Sequence, residues 1–220
     1  MARDLPLSQR PRRDESSVTA NWAAHRGAIL LETAGMLDEL PAHDWGLPAL
    51  RPDSTVRSVV AELVWLARGT ARQRAVAVAR RALADRTGFA AASRALVLEQ
   101  SNAEPAELVR AVRGLAVDDL SGRGSRTVAS LSPAVVAAFD LSAVTGRDIA
   151  VDPLASGAVA VARSLSAPVE IRAVVTARTL VATDAAWRVG RGPELPGTAA
   201  GIVLFLFGRG APPKPGETAG

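Results

Sequence analysis

The sequence has no cysteine and no tyrosine, and Lys214 is its only lysine. The lack of cysteine excludes disulfide bonds, thiolate metal ligands and a cysteine nucleophile. Aromatic residues make up only 4% of the 220 residues, whereas 48% are hydrophobic. A chain of this length can bury a substantial core, and here that core must be built mainly from Ala, Val and Leu. Such side chains suit helices that pack closely together.

Nearly all of the positive charge is carried by arginine, and the formal net charge is +4 with a pI near 11.0. The pI is high because few groups titrate above neutral pH, so it does not reflect a large excess of charge. The arginines are dispersed and mixed with Asp and Glu, which is typical of a solvated surface rather than of a nucleic-acid site. We therefore expect no nucleic-acid partner.

The sequence gives no sign of a targeting or membrane-spanning segment. Residues 1–13 carry charge, but no apolar stretch follows them as it would in a signal peptide. The apolar run at residues 202–207 is too short to cross a bilayer. These observations predict a cytoplasmic protein with no membrane partner. The content of Pro, Gly and charged residues predicts disordered tails at residues 1–16 and 211–220.

Hydrophobic periodicity predicts helices through most of the chain and strands only near its end. The first predicted helix covers residues 18–40. The second begins at a cap, Asp53 or Ser54, and runs to residue 84 with a break or a bend at Gly69. Further helices are predicted to begin at Asn102, to run from Ser132-Pro133 to Gly146 and from Asp152-Pro153 to residue 166, and to cover residues 199–207. Strands are predicted at 169–175, 178–182 and 187–189, and a mobile loop at 118–130. The expected fold class is α+β and mostly helical, with an up-and-down bundle at residues 17–150 and a small α/β domain at 151–210.

Four short motifs follow one another in an order that is similar to one known family. They are Asp44-Trp45, the helix start Thr55-Val56-Arg57-Ser58, the segment from Asp140-Leu141 to Gly146, and a Trp187 strand followed by a helix that ends in Gly208-Arg209. Together they resemble the mycothiol-dependent maleylpyruvate isomerase family. The resemblance implies a DinB-like four-helix bundle followed by a small sterol-carrier-like module.

The resemblance also implies a chemistry. The family holds a divalent metal, usually zinc, in the bundle through two His and one Glu, and the metal stabilises the thiolate of mycothiol. That thiolate adds to maleylpyruvate, which isomerises to fumarylpyruvate after rotation and elimination. The positions that match the metal ligands are Glu62, Pro133 and Ala137 in this sequence. Proline and alanine side chains bind no metal, and one carboxylate does not make a zinc site, so we expect no metal.

One replacement set for the metal ligands can be considered. A set of His25, Glu62 and Asp140 would require helices one, two and four to converge. The simpler interpretation places His25 at the edge of an apolar stripe, hydrogen-bonded to water or a neighbour. His43 is interpreted as a loop or helix-end residue, and Trp187 as a core residue rather than a platform that stacks on a ligand.

Three residues remain as binding candidates, and no catalytic residue is predicted. Glu62 lies on a flank of its helix, where it either lines the bundle or forms a salt bridge. Asp140, on a helix of Ala and Val, is expected to pair with an arginine or a backbone donor. Arg209 either clamps the carboxylate of a substrate or of mycothiol, or serves as a cation at a helix C-terminus.

The sequence therefore predicts a divergent, metal-free member of this family that acts as a small-molecule-binding or interaction protein. Its expected ligand is a small thiol or carboxylate. The alternative is an active mycothiol-dependent isomerase or thiol transferase with a rebuilt site, which would need mycothiol and a divalent metal such as zinc. The sequence leaves open whether the protein is an enzyme, and a nucleic-acid role comes third.

Overall fold

The computed structural model describes residues 21–213. Three predicted features lie outside this range: the tail at 1–16, the helix start at Val18, and residues 214–220 of the other tail. The described residues contain nine α-helices, a 3₁₀ turn at Ala42–Gly46 and three strands. The helices are α1 Trp22–Asp38, α2 Val56–Ala67, α3 Ala71–Asp85, α4 Phe89–Ser101, α5 Pro105–Leu120, α6 Val128–Thr145, α7 Pro153–Ser166, α8 Val169–Ala177 and α9 Ala199–Leu206, and the strands are β1 Thr179–Ala182, β2 Arg188–Gly190 and β3 Glu194–Gly197.

Four helices, α1, α2, α5 and α6, form the main body of the protein. Helix α1 packs most extensively on α5 and also on α6, and α2 packs on both α5 and α6. The contact surface of α6 is rich in Ala and Val, including the buried Ala134, Ala137 and Ala138. Small side chains let helix axes approach closely, which agrees with the core composition expected from the sequence.

Helix α6 is the only described helix long and apolar enough to cross a membrane by length and composition. Its 18 residues have a mean hydropathy of 1.6, and 44% of them are buried. It packs against α1, α2, α7 and α9, which is the position of a core helix. Its N-cap is Thr127, whose side chain accepts a hydrogen bond from the Ser130 amide. The prediction that Ser132-Pro133 opens this helix is therefore wrong, because Pro133 lies in its second turn.

Helices α3 and α4 form a hairpin that packs on the main body through α4. Gly69 has a φ of 66°, so it breaks the predicted second helix rather than bending it, and the Thr70 side chain caps a new one. Arg81 pairs with Asp85 one turn further along α3, and it ties the two helices together by its ion pair with Glu99 on α4. The hydrogen bonds that Arg81 donates to these two carboxylates raise its pKa above the ordinary value.

The C-terminal part combines helices with a small sheet. The strands are ordered β2-β1-β3, with β1 antiparallel to β2 and parallel to β3. The first two strands lie within one residue of the predicted positions at 178–182 and 187–189. Strand β3 was not predicted, and it contains Pro196, a residue that suits an edge strand because it has no N–H to donate.

Three further predictions about local structure are wrong. Residues 169–175 form helix α8 rather than a strand, because Ile171, Val174 and Val175 share one helical face. The second helix is capped by Thr55 in a capping box with Ser58, not by Asp53 or Ser54. The predicted loop at 118–130 is shorter than expected, since α5 extends to Leu120 and α6 begins at Val128.

The core is continuous between the helical body and the C-terminal part. Buried Leu30, Val60, Leu131 and Ile202 belong to one hydrophobic cluster. Helix α7 joins the two parts, because it packs on α6 on one side and on α9 on the other. Residues from the predicted bundle and from the predicted α/β domain therefore share one packed interior.

Candidate functional site

The structure brings together the three residues selected as binding candidates. Glu62 comes from α2, Asp140 from the middle of α6, and Arg209 from the turn after α9. The guanidinium of Arg209 donates from Nη1 to Asp140 and from Nη2 to Glu62 Oε2, the latter at 3.2 Å. Only 12% of the Arg209 side chain is exposed, and the Asp140 side chain is completely buried. The three residues thus form one partly buried ion-pair cluster.

The Gly-Arg pair at the end of α9 explains how Arg209 reaches the bundle. Gly208 has a φ of 70°, a left-handed conformation that glycine adopts without steric cost. The Gly208 amide donates to the Phe205 carbonyl and the Arg209 amide to the Leu204 carbonyl, both at 2.9 Å. This pair of bonds is a Schellman motif. It reverses the chain and directs Arg209 back toward α2 and α6.

A second segment, the loop that precedes α2, completes the cluster. The Leu50 amide donates to Asp140 Oδ1 at 3.2 Å, and Arg51 Nη1 donates to Glu62 Oε1 at 2.9 Å. The loop is held by a bond from the Ala49 amide to the Ser54 carbonyl at 2.8 Å. Arg51 was not predicted as a site residue, because nothing in the local sequence distinguishes it from other surface arginines.

These contacts form a continuous series of hydrogen bonds, and the peptide bond between Leu50 and Arg51 closes the series into a ring. It runs from the Leu50 amide through Asp140, Arg209 and Glu62 to Arg51, and we call it the ionic ring. All four carboxylate oxygens in the ring accept a hydrogen bond, and the two acidic charges balance the two arginine charges. The ring therefore stabilises the junction of α2, α6 and the chain after α9.

The ring does not fit a zinc ion. Zinc in proteins is usually held by nitrogen and sulfur ligands with carboxylate in support, and the ring supplies two carboxylates with a guanidinium between them. The positions that the family resemblance assigns to the other ligands hold Pro133 and Ala137. Within residues 21–213, no group of three or more His, Cys, Asp or Glu side chains is arranged to hold a metal ion.

The two histidines lie away from the ionic ring. Nδ1 of His25 is 3.5 Å from Asp152 Oδ2, and its ring lies 5.5 Å from that of Trp22 between centroids. Nε2 of His43 is 3.1 Å from Asp44 Oδ1, and its side chain is largely exposed. The structure therefore does not assemble His25, Glu62 and Asp140 into one site.

A second buried ion pair was missed at the sequence level. Arg26 on α1 donates from Nε and Nη2 to the two oxygens of Asp119 on α5, 93 residues further on. Both side chains are almost completely buried. A signal was present: Arg26 follows Trp22 by four residues and precedes Ile29 by three, so it lies on the apolar stripe of its helix. A charge at such a position calls for a buried partner.

Gly124 allows Asp119 to take up this position. A Cβ atom built on Gly124 would overlap the Asp119 carboxylate, so no larger residue fits unless the carboxylate moves. Among the described residues, no buried side-chain nitrogen or oxygen lacks a hydrogen-bond partner. The two buried ion-pair sites are therefore fully satisfied, which limits the energetic cost of placing charges inside the protein.

No protein-family model matches the chain, and no curated protein or solved structure is detectably similar to it.

Proposed function

We propose that the chain is a cytoplasmic, metal-free binding or interaction protein derived from the mycothiol-dependent maleylpyruvate isomerase lineage. In this proposal the bundle of α1, α2, α5 and α6 is DinB-like, and the ionic ring stands where relatives hold their metal. One observation carries the proposal: Arg209 lies between Glu62 and Asp140 and donates to both.

The chemistry of the ring supports a role without catalysis. A reactive thiolate is favoured by a metal or by a net positive environment. The ring offers neither, because its donor set does not suit zinc and because its two carboxylates balance its two arginines. Both terminal nitrogens of Arg209 already donate to acidic side chains, so a ligand carboxylate would have to compete with Glu62 and Asp140 for this arginine.

The alternative, an active mycothiol-dependent isomerase or thiol transferase, requires the ring to open. Arg209 would have to leave Glu62 and Asp140, and the completely buried Asp140 would then lose its only cationic partner among the described residues. An uncompensated buried carboxylate costs several kcal/mol. A ligand that opens the ring must offset that cost through its own contacts, which makes weak binding the expected result for any thiol or carboxylate at this position.

Isothermal titration calorimetry of the full chain tests this proposal. We expect neither Zn²⁺ nor mycothiol to bind with a Kd below about 1 mM. The same titrations on Arg209→Ala and on Arg188→Ala, a control that removes an exposed arginine on β2, identify any binding that uses the ring. Mycothiol binding that is tight in the wild type, preserved in the control and lost in Arg209→Ala would overturn the proposal and favour the active enzyme.

A further inference from the structure

A concave surface with a volume of about 640 Å³ lies on the side of α7 that faces away from the core. We call it the α7 groove. Trp22 of α1, Val128 of α6, and Ala186 and Trp187 just before β2 line its sides. Its floor consists of residues from α7, namely Pro153, Leu154, Gly157, Ala158, Val161 and Ala162. Among residues 21–213, no charged side chain lines the groove.

The outer face of α7 carries an apolar stripe. Leu154, Ala158, Val161 and Leu165 follow one another at a spacing of four, three and four residues, which places them on one side of the helix. Leu154 is 57% exposed and Leu165 is 78% exposed. The only charged residue within α7, Arg163, turns away and donates to the Leu206 carbonyl at 3.0 Å. The exposed face is therefore both apolar and uncharged.

Trp187 is fixed as a rigid wall of the groove. Its indole lies on α7 directly over Gly157, where an added Cβ would be 3.0 Å from Cγ and Cδ1 of the ring. Its Nε1 donates to the hydroxyl of the buried Ser156 at 3.0 Å. An aromatic side chain held in this way presents a large apolar surface to a partner at little cost in conformational entropy.

An acidic cavity of about 620 Å³ adjoins the groove at the N-terminal end of α7, and Pro153 lines both. Four carboxylates line the cavity: Glu32, Asp148, Asp152 and Asp184. Within residues 21–213 none of the four is paired with an arginine, and His25 is the one basic side chain that lines the cavity. Most other carboxylates in this part of the chain do have an arginine partner, so this negative patch stands apart.

We propose that the α7 groove and the acidic cavity together bind a basic amphipathic helix of another protein. This inference rests on the interaction role proposed above and names the partner. Apolar residues of such a helix pack on the α7 stripe and Trp187, and its Lys or Arg residues at one end reach the four carboxylates. The stripe from Leu154 to Leu165 is about 16 Å long, which corresponds to three turns of a partner helix.

Charge favours this occupant over a second copy of the chain. Two copies packed through α7 in parallel would bring their acidic cavities together, and like charges in contact oppose association. Two copies packed antiparallel would place each cavity beside the Leu165 end of the other α7. Arg163 near that end is turned inward, so α7 itself would offer these carboxylates no cation.

Fluorescence anisotropy with designed peptides tests the proposal on the full chain. Two labelled helical peptides of about 15 residues carry leucines at the spacing of the α7 stripe, with lysines at the N-terminal end of one and at the C-terminal end of the other. A third peptide has glutamates in place of the lysines. We expect one lysine peptide to bind with a Kd of about 1–100 μM, binding to weaken as salt rises, and the glutamate peptide not to bind.

Variants locate the binding surface. Val161→Glu is expected to weaken binding at least about tenfold, and Glu32→Gln combined with Asp148→Asn about threefold to tenfold. Leu83→Glu on α3 is the matched control, because Leu83 is an exposed apolar residue away from the groove, and it should leave binding unchanged. The proposal is overturned if neither lysine peptide binds, if the glutamate peptide binds equally well, or if Val161→Glu has no effect.

Sedimentation velocity tests whether a second copy of the chain occupies the groove instead of a partner helix. A concentration-dependent dimer that Val161→Glu abolishes would assign the groove to a second copy and overturn the proposal. The experiments on the groove are independent of the zinc and mycothiol titrations, because Val161 lies outside the ionic ring. Failure of peptide binding leaves the metal-free assignment intact, whereas tight mycothiol binding that requires Arg209 contradicts the proposed function whatever the peptides do.

Discussion

Arg209 and Asp140 form an ion pair that joins the turn after α9 to the middle of α6, across 69 residues of sequence. Asp140 is completely buried, so its charge is tolerated only because Arg209 and the Leu50 amide both donate to it. Arg209 also donates to Glu62 on α2. One arginine thus connects the C-terminal end of the described chain to two helices of the main body.

Removing Arg209 is expected to destabilise the protein more than removing a surface arginine. Arg209→Ala leaves Asp140 buried without a cation, which costs about 3–5 kcal/mol. The double variant Arg209→Ala with Asp140→Ala should lose less than the sum of the two single changes, because the second change removes the unpaired charge. Urea unfolding measures each free energy.

An exposed ion pair serves as the control for this comparison of single and double variants. Arg188 and Glu194 lie 3.3 Å apart on the sheet with both side chains largely exposed. Their coupling energy should be below about 1 kcal/mol. Strict additivity of the Arg209 and Asp140 changes would contradict the ionic ring as described.

Gly208 is expected to be required for the position of Arg209 as well as for the end of α9. Gly208→Ala forces a left-handed φ on a residue with a Cβ, at a cost of about 1 kcal/mol, and displaces Arg209 from its partners. We expect a larger loss of unfolding free energy in the wild-type background than in the Arg209→Ala background. Gly210→Ala is the control, because a Cβ there meets no atom within 4 Å. Equal losses in both backgrounds would separate Gly208 from the ionic ring.

Gly124 is expected to tolerate no side chain, because of the buried pair between Arg26 and Asp119. A Cβ at Gly124 overlaps the Asp119 carboxylate, so Gly124→Ala should cost about 1–3 kcal/mol. Gly114→Ala on α5 is the matched control, since a Cβ there meets nothing within 4 Å. That change should be neutral or stabilising by up to about 1 kcal/mol. Thermal unfolding compares the two, and an equal effect would mean that Asp119 is not held as described.

Restoring metal ligands tests the proposed lineage. If Pro133 and Ala137 occupy positions of family ligands, then Pro133→His with Ala137→His places two imidazoles one turn apart on α6 near Glu62. We expect this variant to bind zinc when Arg209→Ala is added, because Glu62 is then free to serve as the third ligand. Calorimetry measures the affinity. Adding Glu62→Gln should weaken binding at least about tenfold, and no dependence on residue 62 would contradict the assignment.

Part of the fold could be predicted because its signals are local. The Asp152-Pro153 start of α7 and the position of α9 within residues 199–207 are read from neighbouring residues. Helix α8 was misread as a strand because a short apolar run does not separate the two periods. Helix α4 was missed because its stripe is weak and only Ala92 of its residues is buried.

In the candidate site too, single residues could be predicted from the local sequence, whereas their contacts with one another could not. Glu62, Asp140 and Arg209 were selected one at a time, from motif positions and helix faces. Their mutual pairing could not be predicted, since Arg209 and Glu62 are 147 residues apart and meet only through tertiary packing. The Arg26 and Asp119 pair was detectable in principle, because each charge interrupts the apolar stripe of its own helix.

Arg209 is held between Glu62 and Asp140 and donates to both of them. Nitrogen-15 NMR of the arginine guanidinium groups in the full chain tests this arrangement most directly, with Arg209→Lys to assign the signal. We expect a resolved Arg209 signal with slowed rotation and slowed proton exchange, unchanged when Zn²⁺ is added. A rapidly rotating Arg209, or a signal that shifts as one equivalent of Zn²⁺ binds, would contradict it.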